Sequence, residues 1–317
     1  MSSAPNATVT VLTYNGERYL DEILTAIEGQ VWDGELEILV IDSGSTDGTL
    51  GIIARHPRVR LHEIPNPEFG HGRTRDLAAR LATGDFVAYL THDATPAGPR
   101  WLAELLDPML DDERIVAVLG KQIPRPHCHP MLKYEIQSTF AALGPDVGIT
   151  VFRDGGRLGS PAALEAAGFY SDVNSAARRA VLVGPVPYRD VPYAEDQLFG
   201  RDLLAAGFRK AYAPRAAVVH SNDLTIRETR RRTFDETVGL RRIGTDIAPL
   251  TRRRALRLTI RGSIVDGLRI IRDPQWGFFG RLKWLFVNPW YHASKWSGFR
   301  RGTLQSVEVE TAATALR

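Results

Sequence analysis

The apolar residues of this 317-residue chain fall into two alternating rhythms in its first part. Short runs rich in β-branched residues (Ala7–Thr13, Leu36–Ile41, Val59–Ile64 and Asp85–Leu90) read as strands. Between them, spacings of three and four recur: Leu20, Ile23, Leu24 and Ile27, then Leu77, Ala78, Leu81 and Ala82, each predicting a helix with one buried face. Leu36–Ile41 is apolar without interruption, which suits a strand covered on both faces. Alternation of strand and helix with short connections predicts an α/β fold, a mostly parallel sheet flanked by helices. Further along, Ile115–Leu119 reads as a strand, Asp172–Leu182 as renewed pattern, Ala194–Ala206 as a helix and Ala216–Val219 as a strand. The Gly/Pro-rich stretches Pro124–Pro130 and Gly144–Pro161 read as loops. Beyond residue 222, Ile226–Ile243 and Arg252–Ile271 predict Arg-rich helices, followed by the aromatic and basic stretch from Trp276 to Val287. These changes divide the chain into 1–222, 223–303 and a frayed tail, 304–317.

Charge sharpens that division. Residues 1–222 carry 21 Lys/Arg against 28 Asp/Glu, and residues 223–303 carry 18 against 7. An acidic body with a basic, aromatic extension suggests a phosphate-bearing partner, an anionic membrane surface or nucleic acid, against the plain alternative of a solvated helical face. Nucleic acid is not expected, because the extension contains no recognisable reading motif. One cysteine, Cys128, excludes an internal disulfide framework. His127-Cys128-His129 reads as a loop, since an extended chain turns Cys128 away from both histidines. The sequence predicts no signal peptide and no spanning helix, because no apolar run approaches about 18 residues.

The chemistry-bearing residues stand at strand and helix ends. Asp42 follows Ile38–Ile41, Asp93 follows Thr91 and His92 at the end of a buried run, Glu195-Asp196 opens a helix, and His220 closes a strand. Ligands of open α/β sheets bind beyond the carboxyl ends of the strands. A carboxylate there can accept the imide N–H of a pyrimidine, which suits Asp42. A hard cation on a diphosphate needs one or two protein ligands, which suits Asp93 with His220. Asp196 remains as a base for an attacking hydroxyl. A dehydrogenase would need a glycine fingerprint after the first strand, and Thr13-Tyr14-Asn15-Gly16 supplies none.

The ordered strings TYNGERYLDEIL, ILVIDSGSTDGT, HGRTRDLAARLATGDFVAYLTHDATP, FYSDVNSAARRAVL and YAEDQLFGRDLLAAGF with VVHSND resemble the family 2 glycosyltransferases of GT-A fold, in particular a bacterial rhamnosyltransferase-like branch. The resemblance implies an inverting glycosyltransferase with a dTDP- or UDP-sugar donor, dTDP-rhamnose first, and a cell-envelope or polyprenyl-diphosphate-linked acceptor. It implies Thr13, Tyr14, Asn15, Asp42, Ser45, Asp47, Arg73, Arg75 and His92 at the nucleotide. Asp93 and His220 would hold Mg2+ or Mn2+, and Glu195 and Asp196 would be catalytic with Asp196 as base. Asn174 and Arg178 would line the donor or acceptor pocket. Thr91 stands where the family's Asp-x-Asp motif has its first acid. That departure admits a non-catalytic nucleotide-sugar-binding scaffold as one alternative, and a nucleic-acid-binding protein using the basic extension is the other.

Overall fold

The computed structural model describes residues 5–153, 167–221 and 224–309. Among them, nine strands form one sheet in the order β3-β2-β1-β4-β8-β6-β9-β5, with β7 paired to β9. The strands are β1 (Ala7–Thr13), β2 (Leu36–Asp42), β3 (Val59–Glu63), β4 (Phe86–Thr91), β5 (Thr95–Pro96), β6 (Ile115–Ile123), β7 (Thr150–Arg153), β8 (Asn174–Arg178) and β9 (Arg209–Val219). Strands β1 to β4 are parallel, as the alternating pattern predicts, and β6 runs parallel to β9. The antiparallel strand β8 lies between β4 and β6 and joins the two parallel parts.

The chain forms two compact units. The first comprises Met1–Ile123 and Thr139–His220, with the whole sheet. Its helices are α1 (Leu20–Glu28), α2 (Thr49–Ile53), α3 (His71–Leu81), α4 (Trp101–Asp111), α6 (Arg179–Leu182) and α7 (Glu195–Ala205). Leu20, Ile23, Leu24 and Ile27 of α1 are all fully buried and join Val9, Val11, Ile38, Val40, Leu102 and Leu105 in the core. At the rates typical of apolar burial, each such side chain contributes about 2 kcal/mol.

The second unit comprises Pro124–Ser138 and Ser221–Arg317. It holds the start of α5 (Pro130–Leu143) with α8 (Ile226–Arg242), α9 (Arg252–Arg272) and α10 (Phe278–Leu304). Thr225 and Glu228 form a capping box that starts α8, and Thr251 accepts from Arg254 N to start α9. Met131, Tyr134, Ile270 and Tyr291 form its small core.

Three elements depart from the sequence reading. Thr150–Arg153 is a strand within the expected Gly144–Pro161 loop, an edge strand with alternating burial that four residues could not announce. The rest of that loop from residue 154, and the tail from residue 310, lie outside the described residues. The strand expected at Ala216–Val219 begins at Arg209. Its ladder skips from Ala213 opposite Gly120 to Ala217 opposite Lys121, so Pro214 and Arg215 sit in an irregularity that interrupts the pattern without ending the strand. Helix α5 follows directly on the Pro124–Pro130 loop.

Candidate active site

Parallel register brings three strand tips level. Thr13 lies opposite Asp42, and Leu12 lies opposite Thr91, so the loops after β1, β2 and β4 leave the sheet at one edge. The first two loops are laced together. Asn15 N donates to Ser45 Oγ (2.8 Å), Thr46 N to Asn15 Oδ1 (2.9 Å), Gly16 N to Thr49 Oγ1 (2.8 Å) and Glu17 N to Asp47 Oδ2 (3.2 Å). Asn15 adopts φ of 51°, a left-handed conformation that asparagine tolerates better than most residues. Asp42 is fully buried; its carboxylate accepts from Gly44 N and Ser45 N at 2.9 Å and from Ser45 Oγ at 2.5 Å. Its visible work is therefore to shape the turn, with one of about four lone-pair positions left over. Tyr14 projects from this edge with 44% of its surface exposed, and among the described residues nothing pairs with the buried Thr13 Oγ1.

The third loop is folded back by β5, whose Thr95 pairs with Val219. That pairing sets Asp93 beside His220: Asp93 Oδ2 lies 3.4 Å from Nε2, while Thr91 Oγ1 donates to Asp93 Oδ1 at 2.6 Å. His220 Nδ1 lies 3.0 Å from Gln122 Oε1. An amide oxygen can only accept, so Nδ1 carries a proton there, and this bond orients the ring with Nε2 toward Asp93. Burial pushes the Asp93 carboxyl up, but the hydrogen bond and charge of His220, the Thr91 hydroxyl and His92 outweigh it and hold the group well below the usual carboxylate range. One carboxylate oxygen and one imidazole nitrogen at this spacing suit two neighbouring ligands of a single ion. Among the described residues no cluster of three or more potential ligands exists, so a cation here would draw its other ligands from a bound diphosphate and water.

The acidic helix start is built differently. Ala194 has φ of 63°, an uncommon conformation for a residue with a side chain, immediately before Glu195 and Asp196. Arg75 of α3 is buried, forms an ion pair with Glu195, and places Nε 2.9 Å from Asp172 Oδ2. The other Asp172 oxygen accepts from Ser175 Oγ and Tyr188 Oη, both at 2.7 Å. Two carboxylates thus share one guanidinium, with Asp196 as a third negative charge nearby. Asp196 is half-buried, and its carboxylate accepts from Gln197 N at 2.7 Å. Desolvation, then the charges of Glu195 and Asp172, push its carboxyl well above the ordinary aspartate value, against the pull of Arg75.

Several expected positions serve other purposes. Arg75, expected beside a diphosphate, is the counter-ion that fixes Glu195. Arg73 remains exposed at the start of α3, 3.2 Å from Asp190. Asn174 does not line a pocket: it accepts from Trp101 Nε1 and donates to the carbonyls of Lys121 and Ala216. Arg178 likewise donates to the carbonyls of Ile115 and Met109 and covers the Phe86 ring. Their polar groups are consumed by the sheet and by α4 where β8 is wedged in. Asp172, Tyr188 and Gln122 escaped the sequence reading. Asp172 stands inside the quoted FYSDVN string, whereas Gln122 carries no local signal.

Comparison with known proteins agrees with this layout. Residues 8–182 match the family model described as Glycosyl transferase family 2. The O-antigen chain rhamnosyltransferase WbaN of Salmonella anatum is 31% identical over 238 residues, covering 74% of this chain and 72% of that protein. RfbN of Salmonella typhimurium, of the same description, is 29% identical over 73% of this chain and 71% of its own length. Among solved structures, glucosyl-3-phosphoglycerate synthase from Mycobacterium tuberculosis, with Mn2+, UDP and phosphoglyceric acid bound, shares the fold with a TM-score of 0.53. Its identity is 21%, over 78% of this chain and 81% of that one.

Proposed function

The chain belongs to the family 2 glycosyltransferases, and from this premise we propose an inverting transfer of a sugar, L-rhamnose first, from a nucleoside diphosphate donor to a hydroxyl of a cell-envelope glycan or lipid-linked acceptor. The observation that carries the proposal is Asp196: a carboxylate of raised pKa at the edge of a buried acidic cluster, its neighbour Glu195 locked by Arg75. Asp196 takes the proton of the acceptor hydroxyl; the oxygen bonds to the anomeric carbon as the bond to the diphosphate oxygen breaks, and the configuration inverts. The laced loops 13–17 and 42–49 cradle the nucleotide, with Tyr14 offering its ring to the base and Thr13 Oγ1 a partner still to be met. Asp93 and His220 would hold Mg2+ or Mn2+, which supplies neutralisation of the diphosphate charge when bound. Rhamnose as the first donor to try rests on the likeness to WbaN and RfbN.

Calorimetric titration with dTDP, UDP and GDP, each with and without Mn2+, tests the binding half. We expect a pyrimidine diphosphate to bind and Mn2+ to tighten it; indifference to all three by folded protein overturns the assignment. Thr91 in place of an acid favours a second reading, a nucleotide-sugar binder without transfer. Transfer from dTDP-rhamnose that vanishes in Asp196→Asn, with nucleotide affinity retained, excludes it.

A further inference from the structure

The second unit exposes a surface that the transfer chemistry does not use. On α9, Leu256, Ile260, Ile264, Leu268 and Ile271 recur every three or four residues, and all are exposed. Over 16 residues they make an aliphatic stripe about 22 Å long. Helix α10 opens with a second stripe, Phe278, Phe279, Leu282, Phe286 and Trp290, of which Phe279 is 82% exposed. The helices pack as a hairpin: Asn288 Nδ2 donates to Ser263 O at 2.7 Å, His292 Nε2 lies 3.0 Å from Asp266 Oδ2, and Gly267 faces Leu285 and Asn288. At 100° per residue, each stripe is centred about 110° around its helix from the packed face, in the same rotational sense. Antiparallel neighbours with the same offset carry their stripes on the same side. The two stripes therefore form one apolar face.

Its charge has one sign. Between residues 252 and 304 the sequence contains two acids, Asp266 and Asp273. Both are buried: Asp266 meets His292 and Arg269, and Asp273 meets Lys133 and Tyr134. Arg253, Arg257, Arg261, Arg272 and Lys283 are exposed along the stripes, and Arg257 and Arg261 rim a shallow apolar depression over Ile260, Ile264 and Val265. A second protein molecule would need an apolar face studded with carboxylates. A bilayer of anionic phospholipid offers both parts at once: headgroup phosphates for the guanidinium groups and acyl chains for the stripes.

We infer that the α9–α10 hairpin lies on an anionic phospholipid surface, with Phe278, Phe279, Phe286 and Trp290 entering the interface. This is read from the second unit alone, and its test uses neither donor nor acceptor. The full chain is floated with phosphatidylcholine vesicles, with and without phosphatidylglycerol, and compared with Phe279→Ser/Phe286→Ser and Arg257→Glu/Arg261→Glu, each checked by circular dichroism and melting temperature. We expect flotation with the anionic vesicles and a fall in partitioning of at least about tenfold in either folded double variant. Failure of the wild type to float at low salt overturns the inference, as do variants that float like wild type or equal flotation on neutral vesicles. A dimer by light scattering, split by the phenylalanine variant without vesicle binding, would assign the face to a second copy and overturn it too.

Discussion

Asp196 holds its proton more tightly than a solvated aspartate, and this has consequences for both activity and stability. A base works only when deprotonated, so the acid limb of the kcat/KM profile should lie above about 3.9, the value of an ordinary aspartate. Glu195→Gln removes a negative neighbour and should move that limb downward, a shift read directly from the pH profile. Asp196→Asn should lower transfer by about a hundredfold or more. Because the folded pKa is raised, the stability tied to Asp196 is fully present below the unfolded value and lost as pH rises through the folded one. Asp196→Asn should therefore melt above the wild type at neutral pH, with the gap closing on acidification. Lys210 shows the opposite displacement. Burial lowers its ammonium to about 7, while Nζ donates to Phe169 O at 2.7 Å and sits 4.2 Å from the centre of the Phe152 ring. Between about pH 7 and about 10.4 the unfolded chain binds the extra proton, so stability rises with pH over that window. In Lys210→Met, thermal melts across the window should lose that slope.

At the level of elements, the acidic helix start depends on a glycine one helix away. A Cβ on Gly72 of α3 would stand 1.8 Å from Arg189 O and 3.4 Å from Glu195 Cβ, so only glycine lets the segment before α7 lie against α3. Gly72→Ala should cost about 1 to 3 kcal/mol in denaturant melts and lower kcat by displacing Glu195 and Asp196. Helices α1 and α3 and strands β1 to β4 were legible because each presents its own apolar pattern, and the tips carrying Asp42 and Asp93 were legible with them. Roles were less so. Arg75 reads as a phosphate ligand in its own helix, since nothing nearby shows that Asp172 and Glu195, 97 and 120 positions on, will surround it. Asn174 and Arg178 misled for the same reason: their carbonyl partners on Lys121, Ala216, Ile115 and Met109 come from chain segments that only the folded sheet brings together.

For the molecule as a whole, the division between acidic body and basic extension was plain in composition, and the single-sign face on α9 and α10 is its structural counterpart. The insertion of β8 was not plain, because an antiparallel strand of five small and polar residues has no period of its own. That insertion also has a consequence in time. Strand β4 is complete at Thr91, but the partner that closes its free side begins at Asn174. At the usual pace of synthesis those residues take about 4 to 17 seconds to appear. Throughout that interval a nascent chain that has assembled β1 to β4 carries an unpaired, apolar edge, the feature from which β aggregation starts. Chaperone capture and slow-codon effects are accordingly expected to concentrate between these two points of the message.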